Sequence, residues 1–196
     1  MPDTGSLRTR GDKRVRTRER LLDAALALTS EKGFDRTTLQ DIAGRAGMTT
    51  GAIYGNFRDR DALFMALAER QWAPIRPVLR RGASFADLMD AMAEAVIAAI
   101  PNRAPAAVGA LTFRVYALTH PTARAAFRDR TAADYEAGAR WLEAVFAADQ
   151  LPMPADLLVR VIGALTEGLL LQRFLTPDLV PDAAIRAGFA ALARRA

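Results

Sequence analysis

An all-α protein is the fold class that this chain predicts. It should have an N-terminal three-helix head built on a helix-turn-helix, then a larger helical body, with about nine helices in all. Three observations predict this. First, 51% of the 196 residues are hydrophobic with alanine very common, yet β-branched runs are few and strand-like alternation is almost absent. Second, the apolar segments after Gly82 are divided by prolines, which end or bend helices. Third, "TTLQDIAGRAGMTTGAIYGNF", residues 37–57, contains two short threonine-led segments joined by a glycine turn.

The elements follow in order. Residues 1–20 hold seven basic groups (Arg8, Arg10, Lys13, Arg14, Arg16, Arg18, Arg20) against three acids (Asp3, Asp12, Glu19), most of the chain's net charge of +5. A basic leader over 1–14 reads as a flexible arm that meets a polyanion, or as a solubilising tail. A first helix is expected from about Val15 to Lys32, because Leu22, Ala25, Leu26 and Thr29 recur at helical spacing. Gly33 ends it and Phe34 turns back into the core.

Thr38 and Asp41 form a capping box, with Asp where Glu or Gln is usual. Leu39, Ile42, Ala43 and Ala46 then share one face of a two-turn helix. Gly47 supplies the turn and Thr49 is the next N-cap. Met48 and Ile53 occupy the positions of a hydrophobic staple, and Phe57 extends the buried side. Thr50, Gly51, Tyr54 and Gly55 are thereby forced onto the outer arc, with Asn56 on its flank. Two short helices joined this way make a helix-turn-helix, and an uncharged, small outer side suits a major groove about 12 Å wide.

A linking helix should start after Asp59 and run towards Pro74, so the head spans 15–62 and the body 63–196. In the body, Ser84 caps a helix that stops at Pro101, and Pro105 opens one that stops before Pro121. A long helix covers about Thr122–Ala148, Pro154 opens the next, and a last helix runs from about Asp182.

"TTLQDIAGRAGMTTGAIYGNFRDRDALF" resembles the DNA-binding signature of the tetracycline-repressor (TetR) family of bacterial transcription regulators, over roughly residues 16–65. The body resembles that family only in length and helix count. The resemblance implies that Thr38 holds a phosphate, Gln40 reaches a base, and Thr50, Gly51 and Tyr54 face bases or the sugar-phosphate edge. Thr49 begins the recognition helix, Asn56 would contact a phosphate, and Arg60 would clamp another where relatives carry lysine. Gly55 departs from the pattern, since relatives often have a larger residue there; base readout would then lean on Gln40, Thr50 and the arm. Thr38 and Thr49 would cap helices whatever they touch, and Tyr54 has a core reading beside the DNA one.

Function classes narrow further. There are no cysteines, one histidine and three serines. No nucleotide, metal-protease or phosphate-loop motif occurs, so neither catalytic residues nor a cofactor or metal is expected. The polar N-terminus and the lack of a roughly 18-residue uninterrupted apolar run lead to the expectation of a cytoplasmic protein with no membrane partner. In the body, Met89, Met92, Phe113, Tyr116, Trp141, Tyr135 and Phe146 read either as core or as the lining of an apolar effector pocket. His120 reads as a helix-end histidine meeting free carbonyls, or as a ligand contact. The family resemblance implies a small-molecule effector, a homodimer through the last two helices and a near-palindromic DNA operator, with repression relieved by the effector. The alternatives are a helical ligand-binding protein or enzyme with a vestigial head, and a basic protein that coats DNA without regard to sequence.

Overall fold

The computed structural model describes the backbone of residues 5–194 and the side chains of residues 12–194. Among these residues all regular elements are helical: α1 (Gly5–Arg36), α2 (Leu39–Arg45), α3 (Thr50–Tyr54), α4 (Arg60–Gln71), α5 (Phe85–Arg103), α6 (Ala107–Thr119), α7 (Pro121–Val145), α8 (Ala155–Leu175) and α9 (Asp182–Ala193), with two short 3₁₀ turns.

Most boundaries follow local chemistry. α1 is broken at Gly33, whose φ of +79° is the left-handed conformation that favours glycine. Phe34 then turns inward and is buried. Helical backbone begins at Gly5, ten residues before the expected start at Val15. Arg8 and Arg10, expected in the basic arm, lie outside the described side chains. Asp59 caps α4 by accepting from the Ala62 amide at 2.7 Å. Ser84 and Asp87 form a full capping box on α5. α5 also runs past Pro101 to Arg103, beyond the expected stop.

The chain divides into two compact units, which is not the expected division at residue 62. The first comprises residues 1–72 and 108–127; the second comprises 73–107 and 128–196. The reason is the burial of α4. Its Leu63, Phe64 and Leu67 are wholly enclosed, in one cluster with Leu21, Ala25, Ile42 and Ile53. Phe113 and Tyr116 of α6 complete that cluster: Phe34 and Phe64 meet edge-on at 4.9 Å, and Phe64 and Tyr116 at 5.7 Å. In the second unit α9 packs along α5, and α8 packs on both. The enclosed residues there include Leu88, Met89, Val96, Leu158, Leu170, Ile185 and Phe189.

By length and composition alone, the run Phe85–Thr119 is apolar enough to cross a bilayer. In this structure the run is two helices joined by a 3₁₀ turn; Leu88, Met89 and Val96 are enclosed in the second unit and Phe113 and Tyr116 in the first, while Val108, Val115 and Leu118 are exposed.

Candidate nucleic-acid interface

α2 and α3 meet at a turn that the chain builds locally. Thr38 Oγ1 accepts from the Asp41 amide at 3.1 Å, while the Asp41 carboxylate accepts from the Thr38 amide at 3.0 Å and from its hydroxyl at 2.7 Å. Lys32 of α1 donates to the same carboxylate at 2.6 Å. Arg45, at the other end of α2, forks onto Glu31 at 2.9 and 2.7 Å. Gly47 takes φ +64° at the turn, a conformation that a side chain would strain.

The Lys32 ammonium and the Thr38 hydrogen bonds hold the Asp41 carboxyl well below the usual carboxylate range. The sign follows from linkage. A carboxyl depressed in the folded state stabilises fully above its unfolded pKa of about 3.9, and that contribution is lost as pH falls towards the folded value. Asp41→Asn should therefore lower the melting temperature at neutral pH, and the gap from the parent protein should close as pH falls below about 4. A gap that persists unchanged in acid would disprove this cause.

α3 is a five-residue helix whose one enclosed residue is Ile53, with Met48 and Phe57 packed on the same side. That leaves its other face outward. Gly51 and Gly55 are exposed, Thr50 is half-buried, and Tyr54 is 61% exposed, so the core reading of Tyr54 fails here. Gln40 and Thr38 are also exposed. A Cβ placed on Gly51 would meet only the Thr49 hydroxyl, at 3.6 Å. Nothing inside the protein therefore requires glycine at 51, and the space it leaves is on the outside.

Several expected roles are changed. Thr49 has the extended backbone of an N-cap, yet its hydroxyl makes no capping hydrogen bond. Asn56 is half-buried: its amide donates back to the Ala52 carbonyl at 2.8 Å, and its side-chain oxygen is enclosed without a partner. An inward-turned amide is poorly placed for a phosphate.

Arg60 is the largest departure. The guanidinium expected to clamp phosphate points into its own unit. It donates to the carbonyls of Thr37 at 3.1 Å, Asp35 at 3.2 Å and Phe34, and to the Tyr116 hydroxyl at 3.0 Å. Its guanidinium carbon lies 4.8 Å from the Phe64 ring centroid. The Tyr116 hydroxyl in turn donates to Asp61 at 2.7 Å. Burial first, and then this bond to Asp61, push the Tyr116 phenol up to about 12.

The expected effector-lining residues are not one group. Phe113, Tyr116 and His120 belong to the first unit; Met89, Met92 and Trp141 belong to the second. Phe113 and Tyr116 are core aromatics, because α6 supplies the last wall of the first unit. His120 meets the Tyr116 carbonyl at 2.9 Å through Nδ1 and stacks on the Tyr116 ring at 3.8 Å, which is the helix-end role. Met89 and Met92 are buried in the second core, whereas Trp141 is 41% exposed. A pocket within the second unit, lined by Ser84, Phe85, Ala86, Gln150, Pro152 and Ala193, contains none of the six.

From sequence, two further residues count only among the seven basic groups of residues 1–20. Arg18 donates to the Asn56 carbonyl at 3.2 Å and covers the Phe57 ring at 4.3 Å. Arg20 donates to the Ala46 carbonyl at 2.7 Å. No local spacing signals such contacts, because their partners lie 38 and 26 residues away.

Comparison with known proteins agrees with this geometry. The family profile described as bacterial regulatory proteins, tetR family, matches residues 21–67, which begin within α1 and end within α4. The chain is 36% identical over 76 residues to the HTH-type transcriptional repressor Rv1474c of Mycobacterium tuberculosis, covering 39% of this chain and 41% of that protein. It is 47% identical over 53 residues to the HTH-type transcriptional regulator AcrR of Shigella flexneri, covering 27% and 25%. These alignments thus span less than half the length of the curated relatives they match. Two solved structures share the fold. NalD, the secondary repressor of the MexAB-OprM multidrug efflux pump in Pseudomonas aeruginosa, superposes with a TM-score of 0.63 at 23% identity over 91% of this chain and 94% of that one. The SmeT–triclosan complex gives 0.58 at 22% identity over 90% and 91%. The helix-turn-helix built from α2 and α3, the matching family profile and these relatives agree: residues 21–67 are similar to the DNA-binding segment of the tetR family of bacterial regulatory proteins.

Proposed function

We propose that this protein is a sequence-specific DNA-binding regulator, a repressor that a small-molecule effector releases from its operator. The observation that carries the DNA half of this reading is the outer arc of α3. Tyr54 stands 61% exposed between two exposed glycines, while Ile53 on the opposite side is wholly enclosed. A short helix anchored by one face and slim on the other suits insertion into a major groove. Thr50, Gly51 and Tyr54 would then face bases or the sugar edge, with Gln40 beside them. Thr38 and Thr49 would approach phosphates, and phosphate contacts supply affinity while base contacts supply choice.

The effector half is supported by the proteins the chain resembles, among them an efflux-pump repressor and the triclosan-bound SmeT. Dimerisation is supported by the outer side of the last two helices. On α8, Leu157, Ala164, Gly168 and Leu175 are exposed at helical spacing; on α9, Ala183, Ala187 and Ala191 are. Gly163 is excluded from that surface, because a Cβ there would press on the Tyr135 ring of the same chain at 3.3 Å. A twofold pair of heads would read a near-palindromic operator.

Selection of bound duplexes from a random pool tests the reading, followed by a screen for compounds that release the selected DNA. Enrichment of an inverted repeat is expected; binding that follows duplex length alone would reject it. Tyr54→Ala should then lose about 1–3 kcal/mol of preference for the selected operator. Equal loss on operator and random duplex, measured by titration at fixed salt, would remove base reading from Tyr54.

A further inference from the structure

We infer that Arg18 and Arg20 are positioning residues for DNA recognition: from α1 they hold the turn before α3 and the segment just past it, and so set the angle at which α3 is presented. The inference rests on the proposed DNA-binding function, and it assigns these two arginines no contact with DNA.

The physical need comes first. α3 has five residues, far below the roughly 12–15 at which an isolated helix becomes even marginal in water. Its capping residue Thr49 makes no side-chain capping bond, and Ile53 is its one enclosed residue. Such an element takes its orientation from its neighbours. The neighbours at its exits are the two arginines. Arg20 donates to the carbonyl of Ala46, the C-cap of α2, one residue before the positive-φ Gly47. Its guanidinium also lies against the turn itself, 3.7 Å from where a Cβ on Gly47 would stand. Arg18 donates to the carbonyl of Asn56, just past the end of α3, and its guanidinium lies over Phe57, which closes the buried side.

Both bonds are charge-assisted, and both place a cation where the carbonyls of a helix end carry partial negative charge. Residues two apart on a helix do not face each other, so the arginines approach the turn from different sides of α1. Held both at the turn before it and just past its end, α3 resists tilting away from α1, which one contact does not achieve. The seven basic groups of residues 1–20 therefore do not form one phosphate-facing set, because these two guanidinium groups already donate to carbonyls of the head.

The test uses the full-length protein and Arg18→Met, Arg20→Met, Arg18→Lys and Arg20→Lys, with three readouts: binding to the pool-selected operator, binding to random duplex across a salt series, and amide hydrogen exchange of the free protein. Each methionine variant is expected to lose about tenfold of its operator-over-random preference, with the slope of log affinity against log salt unchanged. In the free protein, exchange at residues 52–56 should quicken at least several-fold relative to residues 21–28. The lysine variants keep the charge but not the planar fork, and should show the same changes to a smaller extent. Two results overturn the inference. One is equal loss on operator and random DNA with a salt slope flattened by about one, which marks a phosphate contact. The other is unchanged exchange at residues 52–56. The exchange arm needs no DNA, so it decides the role of the arginines even if the parent protein selects no sequence; that outcome would defeat the proposed function separately. If a methionine variant fails to fold, the lysine pair carries the same comparison.

Discussion

Arg60→Ala should destabilise the N-terminal unit by about 2–4 kcal/mol, the combined effect of several lost charge-assisted bonds and the acceptors left behind. The guanidinium ties three carbonyls at the α1–α2 junction, those of Phe34, Asp35 and Thr37, to the Tyr116 hydroxyl on α6. Removing it leaves those acceptors to water or to nothing, and it uncovers the Phe64 ring. The loss spreads further, because Tyr116 accepts from Arg60 and donates to Asp61. Arg60→Lys should recover only part of the effect, since one ammonium cannot serve carbonyls arrayed around a planar fork. Denaturant unfolding followed by helicity measures this directly. If Arg60 were instead a phosphate clamp, Arg60→Ala would leave the unfolding midpoint in place. It would also flatten the salt dependence of DNA binding by about one unit of slope. The two outcomes do not overlap.

Gly51→Glu should abolish DNA binding, with a loss of several kcal/mol on every sequence, because it sets a carboxylate against the phosphate chain at closest approach. The same change should leave the fold intact or stabilise it by about 0.5–1 kcal/mol. Three features make the signs opposite. Gly51 is the second residue of α3, where a negative charge meets the positive end of the helix dipole. Its backbone is ordinary helix, so a side chain brings no strain and lowers the entropy of the unfolded chain. The space for that side chain is open apart from the Thr49 hydroxyl. Melting temperature and duplex titration of one variant therefore report on the two halves of the claim separately. A destabilised fold would mean that glycine at 51 serves the protein's own packing. Retained binding would mean that α3 does not enter the groove.

The contrast between these residues shows where reading the chain succeeds. Gly33, Gly47, Thr38 with Asp41, Asp59, and Ser84 act on groups one to four residues away, so their roles were legible from spacing alone. The side of α3 that faces out was legible too, because Ile53 and Phe57 four residues apart define the side that faces in. The domain boundary was not. α4 looks like a linker in sequence, but its Phe64 needs aromatic neighbours that arrive with Phe113 and Tyr116, about fifty residues later. The same distance separated the expected pocket residues into two cores.

Local chemistry in the chain was thus enough to determine the helical class, the turn at Gly47, the caps and the outer arc around Tyr54. Only the tertiary structure decided what the long cationic side chains do. A guanidinium on a flexible stem can reach water, a phosphate or a distant carbonyl, and its own neighbours in sequence favour none of these. Arg60 found its partners 23 to 56 residues away, and Arg18 and Arg20 found theirs 38 and 26 away. The free energy that selects among those destinations comes from enclosing Leu63, Phe64 and Ile53, and that enclosure exists only once the helices have packed.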